Sequence, residues 1–118
     1  MSKGQRLKDY LGHILEAIQK FKEYTRGMSE EKFGSDEKTQ DAVIRNFEII
    51  GEACQNVKRE YPSVVANYPG VLWEEAYEMR NILAHAYFKV DVRIVWETIQ
   101  KDLVKLEQQI HQLNQSQG

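Results

Sequence analysis

The chain has 118 residues, of which 42% are hydrophobic and 29% are charged. This length suffices for one domain with a modest core. The proportion of hydrophobic to charged residues is that of a folded globular protein and excludes a disordered one. The net charge of −2 excludes a surface that is basic throughout, so binding of a polyanion must depend on a local patch.

Cysteine content and hydropathy limit the class further. Cys54 is the single cysteine, so an internal disulfide is excluded, and its apolar surroundings in GEACQNV predict a reduced, buried thiol. No Cys/His cluster has the spacing of a zinc site. No segment reaches the length of a membrane span, and the N-terminus lacks a signal-peptide apolar region. We therefore expect a cytoplasmic protein with no membrane contact, no cofactor and no metal site.

The first half of the chain predicts two long amphipathic helices. Apolar residues spaced by three and four predict a helix over about residues 3–26, which Gly27 ends. A polar segment follows, with room for one short helical turn. Ser35 or Asp36 then caps a second helix, which runs to about Glu60.

The second half predicts an ordered connector and two further helices. Pro62 stops the second helix, and the Val and Tyr residues of YPSVVANYPG require burial. A third helix is expected from Trp73 to Tyr87. Asp91 caps the fourth, which ends in a polar, frayed tail over about residues 112–118. The fold class is therefore all-α, an antiparallel bundle of four main helices in one domain that spans the chain, with short connecting helical turns.

One glycine lies inside the second helix. Gly51 costs about 1 kcal/mol relative to alanine at an interior helical position. A close approach of another helix would explain it, and so would chance.

The stretch MRNILAHAYFKVD collects four reactive side chains: Arg80, Asn81, His85 and Tyr87. Each has an ordinary explanation on its own. The arginine can pair with glutamates on its helix surface, the histidine can be a surface or satisfied core residue, and the tyrosine can be half-buried with a solvated hydroxyl. Their combination in the pattern Arg-x4-His-x-Tyr instead favours a site.

The chemistry of these groups suits RNA cleavage. The imidazole of His85 can take the proton from a ribose 2′-hydroxyl, while the guanidinium of Arg80 holds the scissile phosphate and stabilises its added charge. Asn81 can orient the phosphate or the histidine. Three further cations, Arg45, Lys89 and Arg93, can widen a basic patch, although a solvated helix surface explains Lys89 and Arg93 equally well.

Helical geometry complicates a site within one chain. At about 100° per residue, Arg80 and Tyr87 share a face, whereas His85 lies about 140° from Arg80. A shared site therefore needs a helix that distorts or ends near Ala84, a wrapped arginine side chain, or a second copy of the chain.

The chain resembles the HEPN superfamily, and within it the HepT toxins of MntA–HepT toxin–antitoxin pairs. RNILAHAY matches the R-x4-H-x-Y motif of that family, and AVIRNFEIIGEACQNV resembles its second-helix signature around IIGEA. VLWEEAYEMRNILAHAYFKVDVRIVWETIQKDLVKL resembles the rest of the C-terminal half. The resemblance extends over nearly the whole chain.

The resemblance implies a metal-independent endoribonuclease toxin of a type VII-like toxin–antitoxin pair. The family enzymes act as homodimers whose two motifs meet in a shared cleft. Arg80 and His85 match the catalytic residues, and Asn81 matches the polar residue after the arginine. The partner MntA, a minimal nucleotidyltransferase, transfers AMP onto the motif tyrosine, which is Tyr87 here.

Two other functions are compatible with the same residues. In the first, the chain is a non-catalytic module that binds a nucleotidyltransferase, and Arg80 holds a nucleotide phosphate. In the second, Arg80, His85 and Tyr87 form the polar interface of a structural dimer. RNA cleavage that depends on His85 distinguishes the ribonuclease from both.

Overall fold

The chain folds into packed helices, and the computed structural model describes residues 3–85 and 92–116. The helices are α1 (Lys3–Thr25), α2 (Glu30–Ser35), α3 (Glu37–Glu60), α4 (Pro62–Asn67), α5 (Trp73–His85), α6 (Val92–Glu97) and α7 (Leu103–Ser116), with a π-helical segment (Thr98–Asp102) between α6 and α7. Helix is the only regular secondary structure in these ranges, which confirms the predicted all-α fold class.

Helix α1 forms because its apolar side chains fall on one face. Leu11, Ile14 and Ile18 on this face are buried. Gly27 follows the helix with φ of 74°, a left-handed conformation that glycine adopts without a steric penalty. The predicted first helix and its glycine stop are confirmed.

Side-chain caps start α2 and α3. Ser29 Oγ accepts a hydrogen bond from the amide of Lys32 at 3.1 Å, and Asp36 Oδ1 accepts one from the amide of Thr39 at 3.0 Å. The bond from Thr39 is the largest reason that the pKa of Asp36 lies below its ordinary value. Asp36, and not Ser35, therefore caps the second long helix.

The connector after α3 is ordered, as predicted, and is itself helical. Helix α3 ends at Glu60, and Pro62 occupies the first turn of α4, where its missing N–H removes no helical hydrogen bond. Val64, Val65 and Tyr68 are half-buried against the core. Pro62 thus ends one helix and begins the next.

Polar contacts establish that α3 is antiparallel to both neighbours. Glu60, at the end of α3, accepts hydrogen bonds from Arg6 at 2.8 Å and from Tyr10 at 2.5 Å near the start of α1. Lys58, also near the end of α3, pairs with Glu74 in the first turn of α5. Both contacts join a C-terminal end to an N-terminal end, as an antiparallel bundle requires.

The core is formed mainly by α1, α3 and the last helix. The rings of Phe21 and Phe47 pack at 4.7 Å between centroids in its centre. Glu107 of α7 is 9% exposed and accepts hydrogen bonds from Gln19 at 2.7 Å and Lys22 at 2.5 Å. Because a buried carboxylate needs partners, these bonds attach α7 to α1 at a defined register.

The predicted fourth helix contains one irregularity. The apolar side chains spaced by three and four residues from Val95 to Ile110 are buried except for Trp96. Trp96 is half-buried and packs against Phe33 at 5.4 Å between ring centroids. The π-helical segment follows, and Thr98 Oγ1 at its start donates to the carbonyl of Ile94 at 2.8 Å. A single π-turn hardly disturbs the apolar periodicity, so the sequence pattern did not predict it.

The C-terminal segment is more ordered than predicted. Helix α7 continues to Ser116, and Leu113 is 1% exposed. The Ser116 and Tyr68 hydroxyl oxygens lie 3.0 Å apart. The prediction of a frayed tail was therefore wrong as far as Ser116, because Leu113 packs in the core.

Parts of two predictions lie outside the described residues. They are the end of the third helix at Tyr87 and the cap of the fourth at Asp91. Within the described ranges, no helix is both long and apolar enough to cross a bilayer.

Candidate functional site

Helix α5 carries the first half of the reactive stretch. Two glutamates in its first turn favour the helix, because negative charge is stabilising at the positive end of the helix dipole. Trp73 and Ala76 are buried, and Met79 packs half-buried against the core. These contacts pack one face of α5 against the core and thereby determine the position of Arg80 on the helix surface.

Arg80 lies directly against Gly51 of α3. A Cβ atom built on Gly51 would lie 2.6 Å from the Cβ of Arg80 and 2.8 Å from both its Cγ and its Cδ. Two carbon atoms do not approach that closely without displacement, so a larger residue does not fit here unless α3 and α5 separate. Of the two explanations for Gly51, the structure supports the close helix approach.

The guanidinium group of Arg80 has an unusual environment. Its central carbon lies 6.0 Å from the centroid of the Tyr77 ring, at the distance limit of a cation–π contact. Its Nε is buried and has no acceptor among the described residues. Within those residues Arg80 forms no ion pair, whereas Glu74, a glutamate on the same helix, pairs with Lys58. A buried donor without an acceptor is rare and calls for an explanation, such as an anionic ligand.

The remaining motif residues are only partly described. Asn81 follows Arg80 and is half-buried. Helix α5 continues to His85, whose side chain is outside the description, and Tyr87 lies outside the described residues. Because the backbone stays helical, position 85 lies about 140° around α5 from position 80 and about 7.5 Å further along the axis. The described part of α5 is helical from Trp73 to His85, so the backbone turns regularly between Arg80 and His85.

Two of the three further cations of the predicted basic patch, Arg45 and Arg93, lie in the described ranges. Arg45 is exposed and lies 3.6 Å from Glu48. It precedes Gly51 by six positions, so the two residues lie about 120° apart around α3. Arg93 is exposed and pairs with Glu97 at 3.5 Å. Lys89 lies outside the described residues.

A cavity of about 190 Å³ lies beside α5, between α3 and the π-helical segment. Phe47 and Leu106 contribute to its apolar lining, and three carboxylates also line it, from Glu75, Glu78 and Asp102. These carboxylates disfavour a phosphate by charge repulsion. Among the described residues, no group of three or more His, Cys, Asp or Glu side chains could hold a metal ion.

Cys54 does not add a nucleophile to the site. It is 1% exposed, and burial raises the pKa of its thiol to about 12. The reactive thiolate is therefore scarce at neutral pH, and the predicted reduced, buried thiol is confirmed.

A family comparison identifies the chain. The family model described as "Ribonuclease HepT-like" matches residues 14–113, a range that contains Gly51, Arg80 and His85. The chain belongs to the HepT-like ribonuclease family. This membership confirms the resemblance noted in the sequence.

Curated relatives of this HepT-like chain carry consistent names. A protein of Thermococcus cleftensis named "Probable ribonuclease HepT" is 44% identical over 106 residues, which are 90% of this chain and 94% of that protein. A "Putative RNase" of Caldanaerobacter subterraneus subsp. tengcongensis is 39% identical over 108 residues, 92% of this chain and 94% of that protein.

A longer relative also contains a similar region. The "Gamma-glutamylcyclotransferase and putative RNase" of Methanocaldococcus jannaschii is 44% identical over 104 residues, 88% of this chain, but the chain spans 46% of that protein's length. No solved structure matches the chain.

Sequence reasoning missed one residue that borders Arg80 and left the reason for another open. Tyr77 was not considered, although its spacing of three residues from Arg80 places the two side chains on one helix face. For Gly51 the sequence left a close helix approach and chance as equal explanations and indicated no partner residue. Its contact with Arg80 joins residues 29 positions apart, and no periodicity in the sequence indicates such a contact.

Proposed function

We propose that this HepT-like chain is a metal-independent endoribonuclease, the toxin of a type VII-like toxin–antitoxin pair. Membership of a ribonuclease family supports the activity. The observation that carries the site is Arg80, whose stem is held against Gly51 and whose buried Nε has no acceptor among the described residues. An arginine held in this way is suited to bind a phosphate.

In the proposed reaction, His85 acts as the general base and takes the proton of a ribose 2′-hydroxyl. The 2′-oxygen forms a bond to the adjacent phosphorus, and the bond from phosphorus to the 5′-oxygen breaks. The leaving oxygen takes a proton from water or from protonated His85. The products are a 2′,3′-cyclic phosphate and a 5′-hydroxyl. One P–O bond forms as another breaks, so the reaction needs no oxidant and no metal ion.

Arg80 contributes electrostatically to the same step. Negative charge increases on the phosphate oxygens as the fifth bond forms, and a guanidinium placed beforehand stabilises that charge. Asn81, the next residue on α5, is proposed to orient the phosphate or the imidazole. Arg45, Lys89 and Arg93 are proposed to contact RNA beyond the scissile phosphate, each with a small, salt-sensitive contribution.

A homodimer is part of the proposal. In a continuous helix Arg80 and His85 point about 140° apart, so one copy of α5 does not direct both at the same phosphate by rotation alone. Two copies placed across a cleft bring Arg80 of one protomer opposite His85 of its partner. This arrangement removes the geometric conflict without bending α5.

Neutralisation is proposed to act through Tyr87. An MntA-like minimal nucleotidyltransferase would transfer AMP from ATP to the Tyr87 hydroxyl with release of pyrophosphate. The added nucleotide places bulk and a negative phosphate next to the site, where both exclude the substrate phosphate. Tyr87 is then a regulatory residue, and Tyr87→Phe keeps cleavage activity while escaping the partner.

The decisive experiment compares RNA cleavage by the wild type, His85→Ala and His111→Ala in EDTA. The chain is expressed without a partner, and its intact mass verifies that Tyr87 is unmodified. We expect the wild type to leave 2′,3′-cyclic phosphate ends and His85→Ala to lower the cleavage rate by about 10²–10⁴-fold. His111 is exposed on α7, so His111→Ala should cleave at the wild-type rate. A folded, unmodified wild type that cleaves no cellular RNA would contradict the ribonuclease and favour the non-catalytic partner module.

Subunit mixing tests the shared cleft. Arg80→Ala and His85→Ala homodimers are each expected to be inactive. If each cleft combines Arg80 of one protomer with His85 of its partner, mixed dimers contain one intact pair and regain up to half of the wild-type activity per mixed dimer. Mixed dimers without activity would contradict this arrangement, and the yield of mixed dimers is measured by native mass spectrometry.

A further inference from the structure

We propose that Gly51 and Tyr77 are positioning residues for Arg80, although neither contacts the substrate. Gly51 determines how closely α5 approaches α3, and Tyr77 restricts the direction of the guanidinium. This inference rests on the proposed function, in which Arg80 binds the scissile phosphate.

The contribution of Gly51 follows from distances to the arginine stem. Ordinary van der Waals contacts of a Cβ atom are 3.4–4 Å, whereas a Cβ on Gly51 would lie 2.6 Å from the Cβ of Arg80. Because the nearest atom is the first atom of the side chain, rotation about the arginine's side-chain bonds cannot relieve the overlap. Alanine at position 51 therefore moves α5 itself, and Arg80 moves with it.

The contribution of Tyr77 follows from its place one turn before Arg80 on α5. The guanidinium carbon lies over its ring, 6.0 Å from the ring centroid. Together, Gly51 and Tyr77 border the stem and the head of the same side chain. A misplacement of about 1 Å in a catalytic group can lower a rate about 10²-fold, so both contacts matter for the reaction.

The first test separates binding from catalysis. We expect Gly51→Ala to lower kcat for RNA cleavage by about 10- to 100-fold, with a much smaller change in KM. Gly12→Ala is the matched control, because Gly12 is also inside a long helix and a Cβ there meets nothing within 4 Å. Gly12→Ala should retain wild-type kinetics, and a Gly51→Ala variant with wild-type kcat would overturn the role of Gly51.

The second test uses a conservative pair at position 77. Tyr77→Phe keeps the aromatic face and should keep most of the wild-type kcat. Tyr77→Leu keeps comparable apolar bulk but removes the ring, and we expect its kcat to fall about tenfold, the equivalent of one weak cation–π contact. Equal kcat values for the two variants would overturn the role of Tyr77.

A double variant distinguishes positioning from general destabilisation. Arg80→Ala retains the Cβ that overlaps with a residue at position 51, so adding Gly51→Ala displaces α5 just as it does in the wild type. If Gly51 acts mainly through the arginine head, this addition lowers the residual cleavage of Arg80→Ala by a much smaller factor than it lowers the wild-type rate. The remaining effect reports the displacement of His85 on the same helix. A further fall by the same factor as in the wild type would overturn the assignment to Arg80.

A test without RNA keeps the inference independent of the proposed function. A dicarbonyl reagent modifies accessible guanidinium groups, and peptide mass spectrometry measures the rate at Arg80. We expect a several-fold faster modification in Gly51→Ala and Tyr77→Leu, and wild-type rates in Gly12→Ala and Tyr77→Phe. If the wild type cleaves no RNA but the modification rates at Arg80 follow this pattern, the proposed ribonuclease activity is rejected and the positioning roles of Gly51 and Tyr77 stand. Equal modification rates in all variants would reject the positioning roles.

Discussion

At the scale of single residues, two small side chains on α3 have different consequences. Gly51 allows contact with Arg80, whereas Cys54, three positions later, is enclosed by apolar side chains. Burial disfavours the charged thiolate and raises the pKa of Cys54 to about 12. The GEAC sequence therefore contributes close helix packing and an inert thiol to the fold.

The burial of Cys54 predicts protection from thiol reagents. At mildly alkaline pH the native protein should react with a chromogenic disulfide far more slowly than the chain in concentrated guanidinium, because folding removes both access and thiolate. The labelling rate is followed by absorbance, and the single cysteine makes the assignment unambiguous. Rapid stoichiometric labelling of the native protein would contradict the buried thiol.

At the scale of elements, Glu60 joins the end of α3 to the start of α1. Its carboxylate accepts hydrogen bonds from Tyr10 and Arg6. The bond from Tyr10, followed by that from Arg6, lowers the pKa of Glu60, and the same carboxylate raises the pKa of Tyr10. These opposite shifts define the pH range in which the contact is stabilising.

The shifts predict a plateau in the stability that Glu60 contributes. Because the pKa of Glu60 is lower in the folded state, its contribution is present above its unfolded value of about 4.3 and is lost as pH falls through the folded value. Because the pKa of Tyr10 is raised, the contribution also declines as pH rises beyond about 10. The difference in unfolding free energy between wild type and Glu60→Gln should follow this profile in denaturant titrations monitored by tryptophan fluorescence.

Glu16→Gln provides the control for this profile. Glu16 is on the exposed surface of α1 and lies 4.0 Å from Lys20, so its ion pair contributes little. The unfolding free energy of Glu16→Gln should differ little from that of the wild type at every pH. If the difference in unfolding free energy between wild type and Glu60→Gln persists unchanged into strong acid, the ionised carboxylate is not the source of the stabilisation.

At the scale of the whole molecule, stability depends on a core shared by helices far apart in sequence. Phe47 of α3 packs against Phe21 of α1 and also lines the cavity beside α5. It is 1% exposed, so its ring is almost wholly removed from solvent. Loss of this ring removes buried apolar surface and enlarges an existing cavity.

Truncation of this ring is expected to be severe. Phe47→Ala should lower the free energy of unfolding by about 3–5 kcal/mol, a large part of the total of about 5–15 kcal/mol for a domain. Tyr24→Ala, which truncates an aromatic residue on the exposed part of α1, should change it by about 0.5 kcal/mol or less. Chemical denaturation measures both, and similar losses would contradict the assigned core.

The bounds of the long helices were predictable because their causes are local. The stripe of α1, Gly27 after it and the Asp36 cap each act within a few residues, so spacing and residue type suffice to locate them. The motif from Arg80 to Tyr87 was visible for the same reason. The family resemblance drew on these local patterns and was confirmed by the family match.

What only the tertiary structure decided concerns residues that are distant in sequence. The contact between Gly51 and Arg80, the attachment of Glu60 to α1 and the burial of Leu113 each depend on how the helices pack. The π-helical segment likewise belongs to this packed arrangement. Hydrophobic periodicity determines which face of a helix is buried, but it does not determine which residue of another helix meets it, because that choice depends on the shapes and charges of both surfaces.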